Sequence, residues 1–305
     1  MRGESIQLKK TVDKFLERIE KISFQRMSSQ VINNDLYLDV FLSQIEEMQL
    51  YKNKTNLKEM IALYSDTISF LRDGNLYLAE ETLLKGQKLK SKIVDNIEIK
   101  IIRVIELPTV SYFLYKKEQY KEAKELLQEQ MKHSMYLESR GIPILVMNRI
   151  QQIQNVARIY FKMNRISMAC KQINKALHIL FATTLISDDK TKVESFLRIK
   201  DLMIFQLTTE TIKTLKKCCN QDFEKYYSIT FKGLNFLTLH AYDECIHLKW
   251  FKLRSYFCSG EYHMFILKLD EFLDVAGDNY MEYFKILLND LKKVFKLEMN
   301  RMQTL

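Results

Sequence analysis

The sequence predicts an all-α protein built from antiparallel helix pairs. Its 305 residues include 7 glycines and 2 prolines, too few for the frequent turns of a sheet protein. Apolar residues recur at helical spacing along most of the chain. One helix–turn–helix pattern, in residues 155–177, returns three times in weaker form. Together these observations indicate long helices joined by short polar turns.

The best copy of the pattern reads NVARIYFKMNRISMACKQINKAL. Asn164 lies at its turn, where the backbone is expected to be left-handed, and Asn tolerates that conformation better than most residues. Ala169, Ile173 and Ala176 share one face of the second helix, because they are separated by four and three residues. Alanines at both ends of that face let the first helix approach closely. We therefore expect Ala169 to be buried between paired helices.

This arrangement resembles the tetratricopeptide repeat, a helix–turn–helix unit of about 34 residues with small residues where its helices meet. The motif positions are Tyr160, Asn164, Ile166, Ala169, Ile173 and Ala176. The family's turn glycine is absent here, and Ile173 stands where the family has phenylalanine. The resemblance implies a right-handed superhelix of antiparallel helix pairs, closed by a C-terminal capping helix.

Three other stretches carry the same frame less completely. Their turn positions are Gly74, Glu118 and Gly260, and their small-residue positions are occupied by Ala79 and Gly86, Ala123 and Gln130, and Phe265 and Phe272. The alanines at 79, 123 and 169 are 44 and 46 residues apart, so the helices or connections are longer than in the family. Any antiparallel helix pair also needs small residues at its contact, which leaves another all-helical array as the alternative.

The domain organisation predicted is an N-terminal helical extension, residues 1–54, continuous with a repeat domain of residues 55–305. Within the extension, residues 4–22 have the spacing of an amphipathic helix, and a second helix follows Ser28 or Ser29. The polar segment at 52–56 ends the extension and supplies a helix cap.

Further along, residues 97–116 form a first helix in which Pro108 is expected to produce a kink or a break. Residues 187–190 contain a helix start signal, and residues 190–240 are expected to hold two or three helices, broken near 220–222. The last pair occupies 242–275. A long amphipathic helix at 280–303 is the predicted cap.

The formal net charge is +9, and charged residues make up 28% of the chain without a lysine or arginine stripe. A basic balance suits nucleic acid, an anionic membrane or an acidic protein, but also a lysine-rich soluble surface, which we favour over nucleic acid. No apolar stretch approaches the roughly eighteen residues of a membrane span. The N-terminus has no apolar core typical of a secretory signal, and the odd number of cysteines fits no disulfide framework. We therefore expect a cytoplasmic protein with reduced thiols.

No catalytic motif is present. The chain lacks a glycine-rich phosphate loop, HExxH and GxSxG. His240, Cys245 and His247 do not complete a tetrahedral metal set, and Cys218–Cys219 lacks the CxxC spacing of a redox pair. We predict no enzyme activity, no metal and no cofactor.

The resemblance implies that the first helices of the pairs line a concave groove. The groove positions selected for partner binding are Tyr64, Arg72, Tyr112, Lys116, Gln154, Arg158, Phe161, Lys162, Trp250 and Arg254, with Tyr115 beside them. Aromatic rings alternate with Arg and Lys, which suits an extended or helical peptide carrying carboxylates. The alternative for each aromatic residue is a place in the core between repeats.

The predicted function is a non-catalytic protein- or peptide-binding scaffold or adaptor with a basic, aromatic-lined groove and a partner of acidic character. One alternative is a signalling-peptide-responsive regulatory protein of the bacterial tetratricopeptide type, in which residues 1–52 contact the effector. A second alternative is a helical-repeat nucleic-acid-binding protein, which only the net charge indicates.

Overall fold

The computed structural model describes residues 10, 13–17, 34–52, 54–90, 93, 95–184, 189–219, 221–234, 246–275 and 281–303. These residues form α-helices joined by turns and contain no strand, which confirms the all-α prediction. After a helical stretch at 13–17, the helices are α1 (Asn34–Glu47), α2 (Lys54–Arg72), α3 (Leu76–Lys90), α4 (Asn96–Lys116), α5 (Tyr120–Glu138), α6 (Leu145–Lys162), α7 (Ile166–Ala182), α8 (Lys190–Cys218), α9 (Phe223–Thr230), α10 (Ile246–Ser259), α11 (Tyr262–Val275) and α12 (Met281–Gln303). Among the described helices, none has the length and apolarity needed to cross a bilayer.

The chain packs as two compact units. The central unit comprises residues 32–232, and the terminal unit comprises residues 1–31 together with 233–305. The predicted boundary between residues 54 and 55 stays a prediction.

Helices of the central unit contact one another as consecutive pairs, α2 with α3, α4 with α5, α6 with α7 and α8 with α9. The second helix of a pair also contacts the first helix of the next pair in three places, α3 with α4, α5 with α6 and α7 with α8. First helices contact each other between α2 and α4 and between α6 and α8. In the terminal unit α10 pairs with α11 and packs against α12. This contact pattern is compatible with a helical repeat.

The four predicted turns share one backbone geometry. Gly74, Glu118, Asn164 and Gly260 have φ values of 80°, 60°, 56° and 80°. In each turn the amide of the next residue donates to the carbonyl four residues before the turn residue, at 2.8–2.9 Å. This is the hydrogen bond that closes a helix ending in a left-handed residue. The four predicted turns are therefore present with one geometry, although two of them have no glycine.

The small-residue positions of the frame are buried between paired helices. Ala79, Ala123 and Ala169 are 0% exposed, which confirms the burial predicted for Ala169. Gln130 takes the place of a small residue and is also fully buried. Its Nε2 donates to Ser134 Oγ at 2.9 Å and to Asn148 Oδ1, so the amide nitrogen is compensated for its loss of water.

Two predictions about helix boundaries have different outcomes. Of the kink or break expected at Pro108, the break is wrong, because α4 continues through this residue with Leu107 and Thr109 buried on either side, whereas the kink stays a prediction. Tertiary packing thus holds the helix together despite the missing amide donor. The start signal before α8 is confirmed, since Asp189 Oδ1 accepts from the amides of Thr191 and Lys192 at 3.0 and 3.3 Å.

The terminal unit brings the N-terminal stretch onto the last helices. The ring of Phe15 meets that of Phe284 on α12 edge-on, with 5.8 Å between centroids. Lys14 Nζ lies 2.9 Å from Asp270 Oδ1 and 2.7 Å from Asp274 Oδ1 on α11. The predicted terminal helix is present as α12.

Candidate functional site

One surface of the central unit combines partly exposed aromatic and charged side chains from three first helices. Tyr112 and Tyr115 belong to α4, Arg158 to α6 and Glu210 to α8. We call these four residues the tyrosine–arginine band. Because α4, α6 and α8 are the first helices of successive pairs, the band crosses several repeats rather than lying within one pair.

The aromatic end of the band is a small stack. The rings of Tyr112 and Tyr115 lie 6.2 Å apart with an interplanar angle of 19°, and Tyr120 meets Tyr115 edge-on at 5.7 Å. Lys116 places its Nζ 5.5 Å from the centre of the Tyr112 ring, within the range of a cation–π contact. All four side chains are partly exposed. This end therefore offers apolar area with a cation beside it.

The charged end of the band is an ion pair held by amides. Arg158 Nη2 donates to Glu210 Oε2, and Arg158 Nη1 donates to Asn155 Oδ1 at 2.7 Å. Gln154 Nε2 donates to the same Glu210 oxygen at 2.9 Å, and Gln206 Nε2 donates to Glu210 Oε1 at 3.3 Å. The carboxylate of Glu210 thus has one charged donor and two neutral donors.

Water reaches both members of this ion pair. The side chains of Arg158 and Glu210 are 42% and 43% exposed. An ion pair with this exposure contributes about 0.2–1 kcal/mol to stability, because solvent and salt screen it and two long side chains must be ordered. The pair is therefore weak enough to exchange its partners.

Tyr115 enters this site as a neutral hydrogen-bonding group. Burial raises the pKa of Tyr115, and the nearby Tyr120 and Tyr112 add to that effect, whereas Arg158 acts in the opposite direction. The hydroxyl of Tyr115 therefore keeps its proton at neutral pH. It can donate a hydrogen bond to an acceptor on a ligand.

The structure brings together four of the residues selected from the sequence: Tyr112, Lys116, Gln154 and Arg158. Gln154 is only 4% exposed, so it acts through Glu210 and has little surface of its own. Lys162 is exposed one turn after Arg158, with Phe161 half-buried next to it. Arg72 is exposed on the last turn of α2.

Tyr64 is buried inside the central unit, although it was selected as a groove residue. It is 1% exposed. A methyl group added at Gly86 on α3 would lie 2.8 Å from the Tyr64 ring. The absence of a side chain at Gly86 leaves the space that the ring fills. In this structure Tyr64 is a packing residue between α2 and α3, and we leave it out of the proposed surface.

Trp250 and Arg254 are buried inside the terminal unit, each with 0% exposure. The indole of Trp250 stacks on Tyr283 at 4.6 Å and its Nε1 donates to the Tyr283 carbonyl at 3.3 Å. Arg254 forms an ion pair with Asp290 of α12. Because α12 covers this face of α10, these two residues are also left out of the proposed surface.

Sequence reasoning missed Glu210 and Gln206. Both belong to α8, which lies in the part of the chain where the repeat frame is least apparent. Their spacing of four residues places them on one helix face, but this signal is common on any helix. Only the packing of α8 against α6 shows that they meet Arg158.

The described residues contain no group of three or more His, Cys, Asp or Glu side chains able to hold a metal ion. His240, Cys245 and the side chain of His247 lie outside those residues. Burial raises the pKa of the Cys170 and Cys219 thiols, so neither is activated as a nucleophile.

Comparison of the chain with protein-family models, with curated proteins and with solved structures finds no significant match in any of the three.

Proposed function

We propose that this protein is a non-catalytic scaffold or adaptor that binds a protein or peptide of acidic character through the tyrosine–arginine band. The observation that carries the proposal is the band itself, in which partly exposed tyrosines and an arginine with a 42% exposed side chain occupy first helices of successive repeats. Rings supply apolar contact area at low entropic cost, and Arg158 supplies directed hydrogen bonds to carboxylates. Lys116 and Lys162 extend the positive charge on either side.

The fold proposed is of the tetratricopeptide kind, a right-handed superhelix with α12 as its C-terminal cap. The four left-handed turns and the buried alanines support it. In such a superhelix the first helices face the concave side, which would place the band in a groove. We propose a cytoplasmic location and no resident metal or cofactor.

The first step of the test is to capture the partner from a lysate with the full chain and identify it by mass spectrometry. The partner is then titrated against wild type and an Arg158→Gln/Lys162→Gln variant. Neutral replacements are chosen because a glutamate at position 158 would also repel Glu210. We expect the variant to bind at least about tenfold more weakly, since each charge-assisted contact is worth about 1.5–3 kcal/mol.

A matched control is Lys171→Gln/Lys175→Gln. It removes the same two charges from exposed positions one turn apart on α7, a second helix. This variant should bind as wild type does, because α7 carries none of the band. If the Arg158/Lys162 variant is folded and keeps full affinity, the partner binds elsewhere, on the N-terminal helices or on the face formed by the second helices.

The second candidate is a signalling-peptide-responsive regulator, which the packing of α1 favours. Glu47 of α1 pairs with Lys192 of α8 at 2.7 Å, and Gln44 Oε1 accepts from the Ile144 amide before α6 at 3.5 Å. Helix α1 thus contacts the N-terminal ends of the two helices that carry Arg158 and Glu210. A peptide on the band would act on α1 through α6 and α8. Peptide-dependent change in hydrogen exchange within α1 would favour this candidate over a passive scaffold.

A further inference from the structure

We infer that Glu210 occupies, in the free protein, the position on Arg158 that a carboxylate of the partner takes in the complex. This inference rests on the proposed function and specifies how the site selects its ligand. Glu210 is then an internal competitor that sets how strongly acidic a partner must be.

The first ground is that the surroundings of the Glu210 carboxylate form a carboxylate-binding site. Arg158 and Gln154 both donate to Oε2, and Gln206 donates to Oε1. Asn155 accepts from the other terminal nitrogen of Arg158 at 2.7 Å and so fixes the orientation of the guanidinium. These groups satisfy a carboxylate whichever chain supplies it.

The second ground is accessibility. Arg158 and Glu210 are each more than two-fifths exposed, at 42% and 43%. A carboxylate from solution therefore reaches the guanidinium without any helix moving. The glutamate side chain has rotatable bonds that let it turn toward water as the ligand arrives.

The third ground is the cost of leaving Glu210 in place. A ligand carboxylate on Arg158 would then lie beside the Glu210 carboxylate, and like charges at that separation repel. Binding therefore requires Glu210 to leave or requires the ligand to overcome the repulsion with further contacts. Ligands with several carboxylates and apolar side chains for the tyrosine rings meet that requirement best.

The test uses the full chain and a capped, fluorescently labelled peptide that alternates Glu with Leu. A matched peptide alternates Gln with Leu. Affinities are measured by fluorescence anisotropy for wild type and for Glu210→Gln, which keeps the size of the side chain and removes its charge. We expect the variant to bind the Glu peptide about tenfold more tightly than wild type, with no such gain for the Gln peptide. The gain should shrink as salt is added.

The matched control is Glu194→Gln. Glu194 is exposed on the same helix, sixteen residues before Glu210 and so about 24 Å away along α8. The Glu194→Gln variant changes the net charge by the same amount as Glu210→Gln but does not release Arg158. Its affinity for the Glu peptide should therefore equal that of wild type. A gain of equal size in both variants would show a general charge effect and overturn the inference.

Equal affinity of wild type and folded Glu210→Gln for the Glu peptide, or no binding by that variant, would also overturn it. Either result would mean that a released Arg158 does not recruit a carboxylate. The proposed function fails by a different result, namely unchanged affinity of the captured partner for the Arg158→Gln/Lys162→Gln variant. The two failures are therefore distinguishable.

Discussion

Arg158 in the central unit and Arg254 in the terminal unit occupy the same position of the repeat frame, two residues before Tyr160 and Tyr256. Each lies on a first helix and pairs with a carboxylate on the helix after next, Glu210 on α8 and Asp290 on α12. The surroundings differ. Arg158 is 42% exposed, whereas Arg254 and Asp290 are 0% and 1% exposed.

This difference decides what each ion pair can do. The guanidinium of Arg254 lies near aromatic rings, 6.0 Å from the centre of Trp250 and 5.5 Å from that of Phe257. No ligand reaches it without separating α10 from α12. The guanidinium of Arg158 lies among amides and water, so its partner can be exchanged. The same frame position therefore gives a structural ion pair in one unit and a candidate recognition group in the other.

The largest expected effect is the loss of the buried partner in the terminal unit. Asp290→Ala removes the carboxylate that forms the ion pair with the buried Arg254, and breaking a buried ion pair from one side costs about 3–5 kcal/mol. Trp250 is the single tryptophan of the chain and stacks at this site, so its fluorescence reports unfolding of the terminal unit. A urea midpoint unchanged within error would contradict the structural role given to this pair.

Replacing both members of the buried pair should recover most of that loss. Arg254→Met with Asp290→Leu removes both buried charges and keeps apolar volume, a change that is often neutral or stabilising. We expect the same Trp250 signal to show a stability within about 1 kcal/mol of wild type or above it. A double variant as unstable as Asp290→Ala would show that the shape of the pair, rather than its charge balance, holds α10 and α12 together.

Asp201 on α8 adds a third carboxylate to the comparison of the two ion pairs, because its effect on stability should depend on pH. Burial raises the pKa of Asp201 on α8 above its usual value of 3.8, and its buried Oδ1 accepts no hydrogen bond within the described structure. The folded state therefore binds this proton more strongly than the unfolded state, so Asp201 lowers stability as the pH rises above about 4. Asp201→Asn should be more stable than wild type by about 1 kcal/mol at neutral pH.

The advantage of Asp201→Asn should vanish as the pH falls through 4, because the wild-type carboxyl is then protonated in both states. Circular dichroism during urea unfolding at several pH values measures the difference. Glu194→Gln, at an exposed position of the same helix, is the control and should show no such pH-dependent gain. A constant difference across this range would mean that Asp201 acts through packing rather than through its charge.

The smallest expected effect is on the stability of the central unit. Glu210→Gln should lower its unfolding free energy by less than about 1 kcal/mol, since the pair it disrupts is exposed and the amide oxygen of the new glutamine can still accept a hydrogen bond from Gln154. The measurement is again urea unfolding by circular dichroism. A loss as large as that of Asp290→Ala would remove the contrast between the two pairs, and with it the premise that Arg158 can change partners.

Much of the fold was predictable because its signals are local. The left-handed turn at Asn164 and the alanines at 169 and 176 follow from constraints within a single helix pair. The turn at Glu118 is less apparent, because a glutamate by itself does not indicate a positive φ. Only the neighbouring positions of the repeat pattern indicate a turn at this residue. The helix does not break at Pro108, because burial of the surrounding helix outweighs the lost hydrogen bond.

The candidate site was predictable only in part. Tyr112, Lys116 and Arg158 lie partly exposed on first helices, and their role in binding stays a prediction. Tyr64, Trp250 and Arg254 were selected by the same rule and are buried. Helical periodicity shows which residues share a face, but it does not show what covers that face. Tyr64 is covered by α3, where Gly86 leaves space for its ring, and Arg254 is covered by α12.

The sequence by itself determined the helices, their pairing and the left-handed turns between them, because each depends on residues that are close together in the chain. Tertiary structure alone decided which arginine is open to a partner. Glu210 lies 52 residues after Arg158, and Asp290 lies 36 residues after Arg254. Whether such a distant carboxylate meets its arginine in water or in the core depends on how later helices pack, and hydrophobic burial of whole faces fixes that packing.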